Sequence, residues 1–208
     1  LGLGLAILLD QKIRIEGALR TIYLYPMALS FIVTGVAWKW FLDPGIGLES
    51  VVKSWGFQSF EFRWIKESDM AIYTIVIAAV WQSSGFVMAM FLAGLRGIDN
   101  EIIKAAQIDG ASNFKLYWRI IIPLMRPAFV SAFVVLAHLA IKAYDLVIAM
   151  TGGGPGRATY LPSIAMYDFT FTRTNMALGA SSAIIMLTMI AAVIIPYLYS
   201  ELRQGRQS

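Results

Sequence analysis

The chain has no cysteine and a single histidine, His138. The first absence excludes disulfides, thiolate metal sites and a cysteine nucleophile, and the second excludes any metal site built on two imidazoles. Charge is scarce too. Only 14% of the 208 residues are Asp, Glu, Lys or Arg, against about 25% in soluble domains. No Gly-x-Ser-x-Gly, His-Glu-x-x-His or Walker sequence occurs, so the chain carries no recognisable hydrolytic or nucleotide site. The glycine-rich run Thr151-Gly152-Gly153-Gly154-Pro155-Gly156-Arg157 does not repair this. It lacks the Gly-Lys-Ser/Thr ending of a phosphate loop and no strand precedes it. The net charge of +4 is modest, and in an apolar chain basic residues report topology, so no nucleic-acid partner is implied.

What the chain has is hydrophobic surface: 58% of its residues are apolar or aromatic, arranged in blocks. Four blocks, at about 21–42, 70–95, 127–150 and 177–199, approach the roughly 20 residues a transmembrane helix needs. Barrel strands would be shorter and would alternate. The expectation is an all-α polytopic transmembrane bundle forming one domain over 1–208, without internal repeats. The opening run LGLGLAILL is too short to span the bilayer and lacks the charged start of a signal peptide. It reads as the tail of a helix whose beginning is missing. Lys12, Arg14, Arg20, Arg96, Lys104, Lys115, Arg119, Arg126, Arg203 and Arg206 fall on one side of the membrane. Lys53, Arg63, Lys66, Arg157 and Arg173 fall on the other. The positive-inside rule then makes the connection 96–126 and the C-terminus cytoplasmic.

That connection is a long polar island between spans. Its stretch 104–127, KAAQIDGASNFKLYWRIIIPLMRP, reads as two short helices hinged at Asp109-Gly110, since glycine takes the positive φ that ends a helix. Ala105-Ala106, Gly110, Ile120 and Pro123 match the coupling motif of bacterial ABC importer permeases, and Asp109-Gly110-Ala111 matches its carbohydrate-importer form. The Gly-Gly-Pro at 153–155 and the segment IKAYDLVIAMTGGGPGRAT resemble permeases of the maltose-importer type, nearest the glucose/mannose kind. Two positions depart: Lys104 stands where the family usually has Glu, and Ile122 where it has Leu.

The resemblance implies a permease subunit in a bacterial inner membrane. Its partners would be a second permease, a dimer of ATP-binding subunits, an extracytoplasmic solute-binding protein, a sugar and membrane lipid. This chain would need no cofactor of its own, ATP and magnesium residing on the partner ATPase. The coupling residues would be Glu101, Lys104, Ala105, Ala106, Asp109, Gly110 and Ala111. A salt bridge through Lys104 is put in doubt by its reversed charge, with Glu101, one turn upstream, as a substitute.

Few polar residues interrupt the spans. His138 and Lys142 are spaced i, i+4, with Asp145 three residues further, so a continuous helix would align them. Two readings stay open: a self-neutralising Lys142–Asp145 pair, or a polar stripe along a translocation path. Gln82, Ser83 and Phe86, beside Trp81, offer hydrogen bonds and an aromatic face suited to a hydroxyl-rich solute, or small residues for helix packing. The outer loop 43–69 carries Trp55, Phe57, Phe60, Phe62 and Trp64 and reads as an interfacial belt with a short surface helix, or as a dock for a partner. The rival functions are the same machine with another cargo, such as glycerol phosphate or an oligosaccharide, and a secondary transporter. The latter is disfavoured because Asp145 is the one convincing intramembrane acid.

Overall fold

The structure, a computed structural model, describes residues 1–11 and 13–204. Lys12 and Arg206, which enter the charge asymmetry above, lie outside the described residues. Among the described residues all regular structure is helical. In chain order the helices are α1 (Gly2–Asp10), α2 (Glu16–Ala28), α3 (Phe31–Phe41), α4 (Leu48–Ser54), α5 (Ala71–Arg96), α6 (Asn100–Ile108), α7 (Asn113–Leu116), α8 (Ile122–Leu124), α9 (Arg126–Ile141), α10 (Asp145–Met150), α11 (Pro162–Tyr167) and α12 (Met176–Gln204). A 3-10 turn covers Trp64–Lys66, and π-helical turns cover Tyr117–Ile121 and Asp168–Thr172.

Helix α5 and the Met176–Tyr197 part of α12 are each long and apolar enough to cross a membrane. The number reaches four if α2 with α3, and Asn113–Leu124 with α9, each count as one bent span. Two of the apolar blocks therefore differ from the simple expectation. The block at 21–42 is interrupted at Leu29-Ser30, and the block at 127–150 at Lys142-Ala143-Tyr144. Apolar composition alone did not reveal either interruption, because both sets of flanking residues remain lipid-compatible.

The chain divides into two compact units, Leu1–Ala28 with Ser83–Leu136, and Leu29–Gln82 with Ala137 onward. In the first unit, Ala6 and Leu9 of α1 pack with Val87, Met88, Phe91, Leu92 and Leu95 of α5, and Ala106, Leu116, Ile121 and Met125 continue the same core. Close backbone approach is built in: a Cβ on Gly85 would fall on the Tyr23 carbonyl, at 1.8 Å. At the end of α5, Arg96 lies 2.7 Å from Glu16 and 3.7 Å from Asp10, and Glu16 also pairs with Arg20 at 2.5 Å. One carboxylate thus holds two guanidiniums and ties the start of α2 to the end of α5.

In the second unit, Leu42, Ile65, Ile75, Ala78, Leu146, Val147, Met150 and Ile164 form the core. Helix α10 lies against α3 at Gly35, where a Cβ would meet Ala149 Cβ at 2.6 Å. The interruption at Leu29 is capped from both sides. Ser30 Oγ accepts from the Ile32 N–H at 3.3 Å, and the buried Gln82 amide donates to the Leu29 carbonyl at 2.9 Å. A freed carbonyl within an apolar layer is costly without such a partner.

Candidate functional site

Two places in the fold gather the residues that the sequence singled out. The first is the connection after α5. Asp99 caps α6, its carboxylate accepting from the Glu101 N–H at 2.9 Å. The other end of α6 is a Schellman turn: the Ala111 N–H donates to the Ala106 carbonyl and the Gly110 N–H to the Gln107 carbonyl, both at 3.0 Å. Gly110 sits at φ +76°, and the space around it is open. Ser112 then caps α7 through the Lys115 N–H at 3.5 Å. This geometry sorts the seven candidate residues by what they can reach. Ala106 is buried in the first unit's core and Ala111 is partly buried against it. Glu101, Lys104, Ala105, Asp109 and Gly110 are exposed. Beside them stand Ile108, 86% exposed, and the ring pair Phe114–Trp118, both exposed, with centroids 6.1 Å apart. The result is a small-residue turn rimmed by apolar side chains, with two alanines as its footing.

The second place is the interruption after α9. The Lys142 N–H still bonds to the His138 carbonyl, at 3.2 Å, so their i, i+4 relation survives. The helix then stops. Asp145 opens α10 instead of continuing α9, so the expected single face for His138, Lys142 and Asp145 is replaced by a break with Lys142 on one side and Asp145 on the other. Among the described residues these two form no ion pair, and both are exposed. The self-neutralising pair is therefore absent from this structure. The freed Ala143 carbonyl accepts from the buried Ser163 hydroxyl at 2.6 Å. Asp145 also places a negative charge in the first turn of α10, where the helix dipole favours it.

Sequence reasoning missed the aromatic wall beside this break. Tyr144 lies 5.0 Å, centroid to centroid, from Tyr167, and Tyr167 lies 5.0 Å from Phe171. Tyr167 and Phe171 are four residues apart on the α11–π turn and are exposed. That i, i+4 spacing was the available signal. The loop leading to the wall is tied down: Asp168 accepts from Tyr160 at 2.7 Å and from Arg173 at 3.0 Å. Its carboxyl is held below the usual carboxylate range, chiefly by the Tyr160 hydroxyl, and the same bond pushes the Tyr160 phenol up. Thr159, fully buried, bonds to Gly154 and Thr151 and closes the glycine-rich turn.

The remaining candidates fall differently. Gln82, 1% exposed, caps the Leu29 break, and its carbonyl oxygen has no partner among the described residues. A cavity of about 300 Å³ near that break is lined by Leu29, Val33, Thr34, Ala37, Trp38, Phe41 and Trp81, an almost wholly apolar wall unlike the second break. Ser83 and Phe86 are partly buried and belong to the first unit, whereas Gln82, His138, Lys142 and Asp145 belong to the second. The described residues contain no group of three or more His, Cys, Asp or Glu side chains arranged to hold a metal.

The chain matches, over residues 1–204, the family profile described as "Binding-protein-dependent transport system inner membrane component". It is 46% identical over 200 residues to a probable ABC transporter permease protein of Pyrococcus horikoshii, covering 96% of this chain and 68% of that one. It is 40% identical to the xylose/arabinose import permease protein of Haloferax volcanii, covering 99% of this chain and 65% of the relative. A trehalose/maltose transport system permease protein of Thermococcus litoralis is 31% identical, with 95% and 66% covered. The chain thus spans about two thirds of the length of these relatives. Its fold is also that of a chain in the crystal structure of a bacterial ABC transporter involved in the import of the acidic polysaccharide alginate: TM-score 0.81 at 17% identity, covering 96% of this chain and 71% of that one.

Proposed function

The chain belongs to the family of binding-protein-dependent transport system inner membrane components, and from that premise we propose that it is the membrane-spanning permease subunit of an ATP-driven carbohydrate importer. It works with a second permease, a pair of ATP-binding subunits and a solute-binding protein outside the cytoplasmic membrane. The names of its relatives, which include a xylose/arabinose and a trehalose/maltose permease, support a sugar cargo.

One observation carries the reading of the path: Lys142 and Asp145 are exposed, unpaired with each other and placed at the two ends of a short non-helical break within an apolar block. Irregular backbone and charge at such a position require protein or a water-filled cavity around them. Tyr144, Tyr167 and Phe171 supply aromatic faces for the apolar side of a sugar ring, and Lys142 and Asp145 supply a donor and an acceptor for its hydroxyls. Gln82, Ser83 and Phe86 on α5 and His138 on α9 remain candidates, with Gln82 also holding the Leu29 break. ATP enters the cycle through the α6–α7 turn. A groove on the ATPase receives the exposed Lys104, Ala105, Asp109 and Gly110 with Ile108, and Ala106 transmits the push into the core it is buried in.

The exposed Lys142 also favours a second reading, an acidic sugar or sugar-like anion, because a cation that forms no ion pair among the described residues is a ready partner for a carboxylate or sulfonate. Measuring substrate-stimulated ATP hydrolysis and uptake by the reconstituted complex with a panel of neutral and acidic sugars separates the two. Stimulation by neutral sugars alone removes the second reading, and no stimulation by any sugar removes both.

A further inference from the structure

The loop between α3 and the 3-10 turn buries one acid and exposes several large apolar side chains. Glu49 of α4 is 4% exposed, accepting from Lys53 Nζ at 2.6 Å and from the Phe62 N–H at 2.9 Å. The outward positions mix the small polar Ser50 and Ser54 with large apolar side chains: Ile46 is 71% exposed, Trp55 73% and Phe57 65%, and Val51 is exposed as well. Large apolar side chains gathered on one exposed segment mark a surface that an apolar partner covers. The arrangement is held in place by the buried acid. Glu49 pins α4 to the backbone at Phe62, and that contact turns the opposite face of the short helix outward.

The position of this face identifies what covers it. The chain turns directly off the end of α3, with the Gly47 N–H bonded to the Asp43 carbonyl at 2.8 Å. Gly47 lies so close to the Phe41 carbonyl that a Cβ would fall 2.2 Å from it. Trp40 and Phe41, at the end of that apolar block, are themselves exposed. The exposed apolar residues of 46–57 therefore follow within a few residues on the exposed apolar end of a membrane block. The loop's ions are mostly matched among themselves, Glu49 with Lys53 and Asp43 with Lys66, the latter at 3.6 Å. We propose that residues 46–57 form a hook seated in the headgroup layer of the outer leaflet, with Trp55 and Phe57 as its anchors and the lipid surface as its partner. Tryptophan favours that layer because its ring is apolar while its N–H stays hydrated. The hook fixes the depth and tilt of the α3 end without contacting the cargo, and the proposal depends on neither the cargo nor the ATP cycle.

The chain has six tryptophans, so the test isolates Trp55 by difference. The whole complex is reconstituted into phosphatidylcholine vesicles, with wild type compared against Trp55→Phe. The emission lost in the variant is expected to be quenched by lipid brominated near the headgroup more than by lipid brominated at mid-chain, and to resist aqueous iodide. Placing Phe57→Trp on the Trp55→Phe background is expected to restore the lipid-quenched component. Quenching by iodide with none by brominated lipid would put the face in water and overturn the proposal. Insensitivity to both quenchers, or shielding that arises only on adding the solute-binding protein, would assign the face to a protein partner and equally overturn it.

Discussion

The Ser163 hydroxyl donates to the Ala143 carbonyl at 2.6 Å across 20 residues of sequence. This bond is what makes the interruption after α9 tenable. The helix ends at Ile141, and the peptide carbonyls beyond it need partners that an apolar surround does not offer. Ser163 is buried and stands at the start of α11, so the bond also ties the break to the element that carries Tyr167.

Removing that hydroxyl tests the arrangement directly. Ser163→Ala is expected to destabilise the chain by about 1–3 kcal/mol, the cost of leaving a buried acceptor unpaired. Thermal unfolding of the purified complex measures it. A variant as stable as wild type would show that another donor reaches Ala143.

The exposed cation at the break is expected to matter for cargo and little for folding. Lys142→Ala should weaken the apparent affinity for the transported sugar about tenfold, equivalent to ~1.4 kcal/mol, with unchanged thermal stability. Substrate-stimulated ATP hydrolysis reads this out, and unchanged affinity and activity would return Lys142 to a purely structural place.

Tyr167 separates stacking from hydrogen bonding. Tyr167→Phe keeps the ring and is expected to preserve sugar affinity, whereas Tyr167→Ala should cost roughly 1 kcal/mol of aromatic contact. Equal losses in both variants would mean that the hydroxyl, and not the face, is used.

At the cytoplasmic turn, Gly110 has φ +76° and open space around it. Gly110→Ala is expected to strain the turn by roughly 1–2 kcal/mol, with modest loss of uptake. Gly110→Trp adds bulk at the exposed turn and should abolish ATP-driven uptake while membrane insertion persists. Normal uptake by the Trp variant would exclude this turn as the point where the ATPase engages.

The Asp168 staple gives the outer loop a defined acid response. Its carboxyl is depressed by the Tyr160 hydroxyl and by Arg173, so its contribution is complete above the ordinary carboxylate pKa. That contribution is lost as the pH falls from there through the lowered value. Hydrogen exchange of the segment 151–175 should rise on acidification in wild type. In Asp168→Asn it should be raised already at neutral pH and respond less to acid.

Much of this protein was legible in one dimension. The apolar blocks and scarce charge specify a helical membrane chain, because a bilayer admits no other way to satisfy backbone groups in uninterrupted apolar runs. The Asp109-Gly110 turn was equally readable, since a helix that must end in a positive φ selects glycine locally. The candidate site was only partly legible. His138, Lys142 and Asp145 stood out as ionisable side chains among apolar residues, but their shared face assumed a continuous helix. Whether a helix breaks inside an apolar block depends on a distant side chain reaching the freed carbonyl. Gln82 does this for Leu29 across 53 residues, and Ser163 for Ala143. The inward turn of Glu49 likewise depends on the Phe62 N–H, 13 residues away. Local pattern therefore determined what kind of chain this is and where its turns fall. Long-range capping, visible only in the tertiary structure, decided where its spans break and which side chains those breaks expose.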